Sequence, residues 1–77
     1  MRLWFENSAG KARVIAKIDG RKRREVIEEE AFRAIRSFCD ERNFKIYYVR
    51  KWCEVWRGKT ADVYDVGSHT EFFYLTK

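Results

Sequence analysis

The chain has 77 residues, 38% of them charged, with a formal charge of +5. That length leaves room for one small core, so residues 1–77 are expected to form a single domain. The composition also excludes a collagen-like or disulfide-stapled scaffold, since there is no proline and there are only two cysteines, Cys39 and Cys53.

A short chain needs large side chains to build a core, and six Phe, four Tyr and three Trp supply them. No apolar run approaches the roughly 20 residues that span a bilayer. The start MRLWFENS has neither the apolar stretch nor the cleavage pattern of a secretory leader, so a cytoplasmic location without membrane contact is expected. In a reducing compartment Cys39 and Cys53 read as two buried thiols. The lack of proline and glutamine, beside many charges, leans toward proteins of hot environments. In such a host a Cys39–Cys53 disulfide is the alternative.

Arg2 to Glu6 alternates, Leu3 and Phe5 on one side and Trp4 on the other, the period of a half-buried strand. Asn7-Ser8-Ala9-Gly10 are turn formers, and Arg13 to Ile18 alternates again, with Val14, Ala16 and Ile18 opposite Arg13, Ile15 and Lys17. The two runs predict an N-terminal hairpin. Asp19-Gly20 has the composition of a type I′ turn, after which Arg21 to Val26 is either a third strand or an exposed lead-in to a helix. In the strand case Lys22 and Arg24 return beside Lys17 and Arg13, a like-charge face that an anionic partner would relieve.

From Val26 to Arg42 the period becomes helical: Ile27, Ala31, Ala34, Ile35 and Phe38 form one stripe. Glu28, Glu29 and Glu30 are expected in the first turn, where the helix dipole favours them, and Asn43 is the expected stop. Lys45 to Arg57 is dense in strand formers, but one strand of that length would run about 40 Å, so a break is expected near Arg50-Lys51. Arg57-Gly58-Lys59 is a turn, Thr60 to Val66 a strand, Gly67-Ser68 a turn and Thr70 to Thr76 the last strand. The fold class is α+β: a small antiparallel sheet with one amphipathic helix on one face, in the order ββ(β)αβββ.

Residues 11 to 24, KARVIAKIDGRKRR, hold seven Lys/Arg against one acid, so the rest of the chain is close to neutral. A local cationic patch of this kind suits phosphates. The expected contacts are Arg13, Lys17, Arg21, Lys22, Arg23 and Arg24, joined by Arg50, Lys51, Arg57 and Lys59, where cations interleave with rings. Trp4, Trp52 and Trp56 are the candidates for stacking or for an interface. The leading expectation is a small nucleic-acid-binding protein, DNA or RNA. The alternative is a protein-interaction module, an inhibitor or regulator of the kind encoded by viruses and mobile elements. It would use an uncovered aromatic sheet face toward an acidic partner or in a homodimer.

Enzymatic readings are weaker. Gly67-Ser68-His69 ahead of a strand resembles the Gly-Ser-His strand of HicA-type RNA-cleaving toxins, a resemblance that implies RNA cleavage by His69. It covers three residues, in a family whose elements are expected in a different order, and the chain is read as a non-enzyme. Cys39, Cys53 and His69, with Asp62 or Asp65, lack the paired spacing of a zinc site, and no Gly-rich phosphate loop is present. No metal or cofactor is expected.

Overall fold

The computed structural model describes residues 1–67 and 71–77. Its elements are β1 (Arg2–Glu6), β2 (Ala12–Lys17), α1 (Arg24–Arg42), β3 (Arg50–Trp56), β4 (Lys59–Asp65) and β5 (Phe72–Thr76). The five strands form one antiparallel sheet in the order β2-β1-β5-β4-β3, with the helix inserted between the second and third strands in sequence. This is the expected small α+β fold, without the optional third strand before the helix.

The helix packs on one face of the sheet through Ile27, Ala31, Ile35, Phe38 and Cys39. Their spacing of three and four residues keeps them on one stripe. Opposite them lie Leu3 and Phe5 of β1, Phe73 and Leu75 of β5 and Tyr64 of β4. Phe5, Phe38 and Phe73 form a ring triangle with centroids 4.6 to 5.8 Å apart. Asn43 ends the helix in the left-handed conformation (φ 58°), and the next amide, Phe44 N–H, returns to the Cys39 carbonyl.

Several local expectations are corrected. Asp19-Gly20 does not make a type I′ turn: the Asp19 carboxylate accepts the Arg21 backbone N–H at 3.0 Å and turns the chain straight into the helix. The helix therefore starts at Arg24, and Glu28, Glu29 and Glu30 fall beyond its first turn, where they pair with side chains instead of the dipole. A bulge in the β1–β2 ladder sets Leu3 opposite Ala16 and Trp4 opposite Val14. Ile15 is the extra residue, so Ile15 and Ala16 both pack toward the core and Val14 faces away from it. Residues 44–49 form no strand, because the Tyr47 and Tyr48 amides both turn to one acceptor, the Val66 carbonyl. The thiols are free, Cys39 buried and Cys53 exposed, so there is no disulfide.

The second face of the sheet closes on itself. In a flat sheet the β3–β4 turn would project past the Thr76 end of β5, away from Glu6, which pairs with Phe72 at the other end. Instead the hairpin curls across the face that lacks the helix. Trp56 stacks on Tyr74 with centroids 4.3 Å apart and planes 10° from parallel, and it lies 5.5 Å from Trp4. Beyond it, Arg57 Nη2 donates to Glu6 Oε2 at 3.0 Å and to the Gly10 carbonyl at 2.6 Å. The turn itself is Arg57-Gly58, both with positive φ (52° and 80°), the geometry of a type I′ hairpin turn. Ala61, Val63 and Tyr74 are buried beneath this cover, with Trp4, Trp56 and Phe72 half-buried around them.

The cover predicts a stability effect. Trp56→Ala should cost near the lower end of the ~3 to 5 kcal/mol typical of a buried ring, because Trp56 is only partly buried. Urea unfolding should show it as a lower midpoint. Conversely, the buried Tyr64 hydroxyl has no hydrogen-bond partner among the described residues, and burial pushes its pKa up to about 12. Tyr64→Phe should therefore be neutral or stabilising, by up to about 1 kcal/mol in the same assay.

Candidate binding surface

The cation-rich segment is partly neutralised by the protein itself. Arg21 pairs with Asp19 at 3.1 Å, Lys22 with Glu30 at 2.7 Å and Arg24 with Glu28 at 3.1 Å. Within the helix Arg33 pairs with Glu29 at 3.1 Å. Glu28 also receives Lys51 from β3, and Lys51 lies 3.9 Å from Asp62. Lys51 and Arg24 hold the Glu28 carboxyl below the usual range, and Arg21 does the same for Asp19. These groups are exposed, so the clasp is a weak one.

Of the cations left without a carboxylate partner among the described residues, Arg2, Arg13 and Lys17 lie on β1 and β2, and Arg36, Lys45, Lys59 and Lys77 lie elsewhere. Arg2 and Lys17 are directly opposite each other in the ladder, on the side of Trp4. Arg13 pairs with Phe5 in register and its guanidinium lies 5.5 Å from the Phe38 ring, which Arg42 approaches from the helix end at 4.9 Å. Lys11 and Arg23 are exposed. The hairpin face once expected to collect Arg13, Lys17, Lys22 and Arg24 is therefore not formed. Arg13 lies toward the helix, Lys17 on the opposite side, and Lys22 and Arg24 belong to the helix lead-in and its ion pairs.

The second expected group is also divided. Trp4 and Trp56 are spent on the cover described above, with the Trp4 indole N–H donating to Thr76 Oγ1 at 3.0 Å. Arg57 is held at the hairpin tip and Lys51 under the helix. Lys59 remains exposed opposite Trp56. Trp52 is the most open of the three tryptophans, at 36% exposure. The Arg50 guanidinium lies 5.7 Å from the Tyr48 ring and 5.6 Å from the Trp52 ring while pairing with the buried Asp65 carboxylate at 3.1 Å. Asp65 in turn accepts the Gly67 N–H. Gly67 has φ 84° and a Cβ there would come within 2.8 Å of the Tyr48 ring, so the position holds Tyr48 in place by being glycine. The result is a set of exposed rings, Tyr48 and Trp52 braced by Arg50 and Tyr47 approached by the Lys45 ammonium at 5.4 Å.

Sequence reasoning missed Arg2, Lys11 and Arg42. Turn length alone would set Arg2 opposite Ala16; the bulge at Ile15 brings it opposite Lys17. Arg42 needed the helix packing direction. A shallow groove of roughly 530 Å³ lies between the helix start and the ends of β4 and β5, lined in part by Arg24, Lys59, Lys77 and Asp62. No group of three metal-ligating side chains occurs among the described residues. Ser68 and His69, the basis of the RNA-cleavage resemblance, lie outside the described residues. No helix among the described residues is long and apolar enough to cross a membrane. The chain matches no protein-family model, and no curated protein or solved structure matches it.

Thiol chemistry checks this geometry. The Cys53 thiol donates to Asp62 Oδ1 at 3.3 Å, which raises its pKa, and burial raises that of Cys39. Native protein should release one equivalent of thiol to a disulfide reagent, from Cys53, and the second only on unfolding. Asp62→Asn should speed the first reaction near neutral pH, because it removes the carboxylate that favours the protonated thiol.

Proposed function

We propose that the protein binds nucleic acid through the phosphate backbone along the β1–β2 edge of the sheet. Arg2 and Lys17 lie on one face there and Arg13 and Arg42 on the other, with Lys11 and Arg23 exposed nearby in sequence. The observation that carries this reading is the Arg2–Lys17 pair, two cations directly opposite on neighbouring strands with no carboxylate beside them among the described residues. Like charges so placed destabilise a sheet. A row of phosphates removes that cost and releases counterions in doing so. Arg21, Lys22 and Arg24 contribute less than their number suggests, because each must first leave its own carboxylate.

Rings have a minor part in this reading, since Trp4 and Trp56 are packed and only Trp52 and the two tyrosines are open. A protein-binding module is the second reading, favoured by the exposure of Tyr47, Tyr48 and Trp52 (65%, 49% and 36%) on a segment apart from the cationic ribbon.

The test is fluorescence anisotropy of labelled single-stranded and duplex DNA and RNA at several salt concentrations. Each phosphate neutralised on duplex DNA should add about 0.9 to the slope of log affinity against log salt. Lys17→Glu should weaken binding and lower that slope by about one, whereas Lys22→Glu, at an already paired position, should do less. Absence of binding at low salt would overturn the reading and leave the protein-binding module.

A further inference from the structure

The two edges of the sheet are built differently. β2 carries the devices that keep an edge from pairing: a bulge at Ile15 and the exposed cations Arg13 and Lys17. β3, at the other edge, has no bulge, and its exposed charges are of both signs, Arg50 and Lys51 with Glu54. It pairs only with β4, in an unbroken seven-residue register, and it contains no proline. Its lysine, Lys51, is drawn back to Glu28 and Asp62, and Arg50 is drawn to Asp65. Beside those charges Trp52 and Val55 also stand open, 36% and 73% exposed.

We propose that β3 pairs antiparallel with β3 of a second copy of this chain, about a two-fold axis at Trp52. The order of side chains selects that register. Alternate residues share a face, so on one face Arg50, Trp52 and Glu54 meet Glu54, Trp52 and Arg50 of the second copy. Glu54, which has no cation partner within its own chain among the described residues, then faces Arg50 twice over. On the other face Lys51 meets Cys53. An axis at Cys53 would set Trp52 against Glu54 and Lys51 against Val55. Axes at Lys51 or Glu54 would oppose like charges. A two-fold contact must be self-complementary, and the Trp52 axis is the register in which the charges are.

This dimer does not rest on the phosphate reading, and its test measures mass rather than nucleic-acid affinity. Sedimentation equilibrium from about 1 μM to about 1 mM should show a reversible shift toward twice the 9.4 kDa chain mass. Glu54→Lys replaces two attractions with two repulsions at an exposed position. It should weaken the dimer at least about tenfold with an unchanged far-ultraviolet spectrum. Trp52→Cys in a Cys53→Ser background should oxidise to a disulfide-linked dimer, because the axis brings the two positions together. A monomer throughout the concentration range would overturn the proposal, as would a dimer indifferent to Glu54→Lys. Efficient cross-linking through Cys53 of the unaltered chain, with none through position 52, would overturn the register.

Discussion

A sheet has two faces, and this chain has one helix to cover them. Everything peculiar to the molecule follows from how the other face is shielded. The hairpin of β3 and β4 curls across it and is fastened by the Trp56–Tyr74 stack and by Arg57, whose guanidinium reaches both Glu6 and the Gly10 carbonyl. The fastening has a local cost, because Arg57 sits at positive φ in a two-residue turn. Contacts to an acid and a backbone carbonyl offset that strain. They also connect the two hairpins of the sheet, whose turns would otherwise point in opposite directions.

The closure decides what is left for binding. Trp4 and Trp56 are consumed by it, so the aromatic face is not a free platform. The cations are sorted in a similar way. Helix acids Glu28 and Glu30 take up Arg24, Lys51 and Lys22, and part of the residual positive charge lies on β1 and β2. Exposed ion pairs are individually weak, and salt screens them over about 8 to 10 Å. Their main effect is therefore on where the net field points, not on stability. Arg2, Arg13 and Lys17 are among the cations left unpaired, a sorting that the run of basic residues in the sequence does not by itself reveal.

Legibility in the sequence followed the range of the interactions. The helix, its Asn43 stop and the first hairpin rest on contacts between near neighbours, and their periodicity is readable. The Arg57-Gly58 turn was also legible, although the type I′ geometry expected at Asp19-Gly20 formed there instead. At Asp19 a side-chain bond to the next-but-one amide redirected the chain. The six residues before β3 are rich in strand formers yet make no strand, since the Tyr47 and Tyr48 amides share one acceptor, the Val66 carbonyl, in place of a ladder. Least legible was the hairpin closure, which joins Arg57 to Glu6 across 51 positions. Without it, Trp4, Trp52 and Trp56 look equivalent. With it, two are packed and one is open.

The two sheet edges complete the picture, because they carry opposite instructions. An edge strand is a row of unsatisfied donors and acceptors, and a protein has to spoil it, cover it or use it. On β2 a bulge and outward cations spoil it, and the same cations are available to phosphates. On β3 Lys51 is pulled inward by Glu28 and Asp62, while Arg50 pairs with Asp65 and stays largely exposed. Trp52 and Val55 stand open on opposite faces of this edge, and an unbroken edge strand invites pairing with another chain. A self-complementary order of side chains turns that hazard into a closed two-fold contact, and closure limits growth to two copies. In that arrangement the cationic β2 edges would stand at the far ends of one continuous sheet, well apart from the contact that joins them.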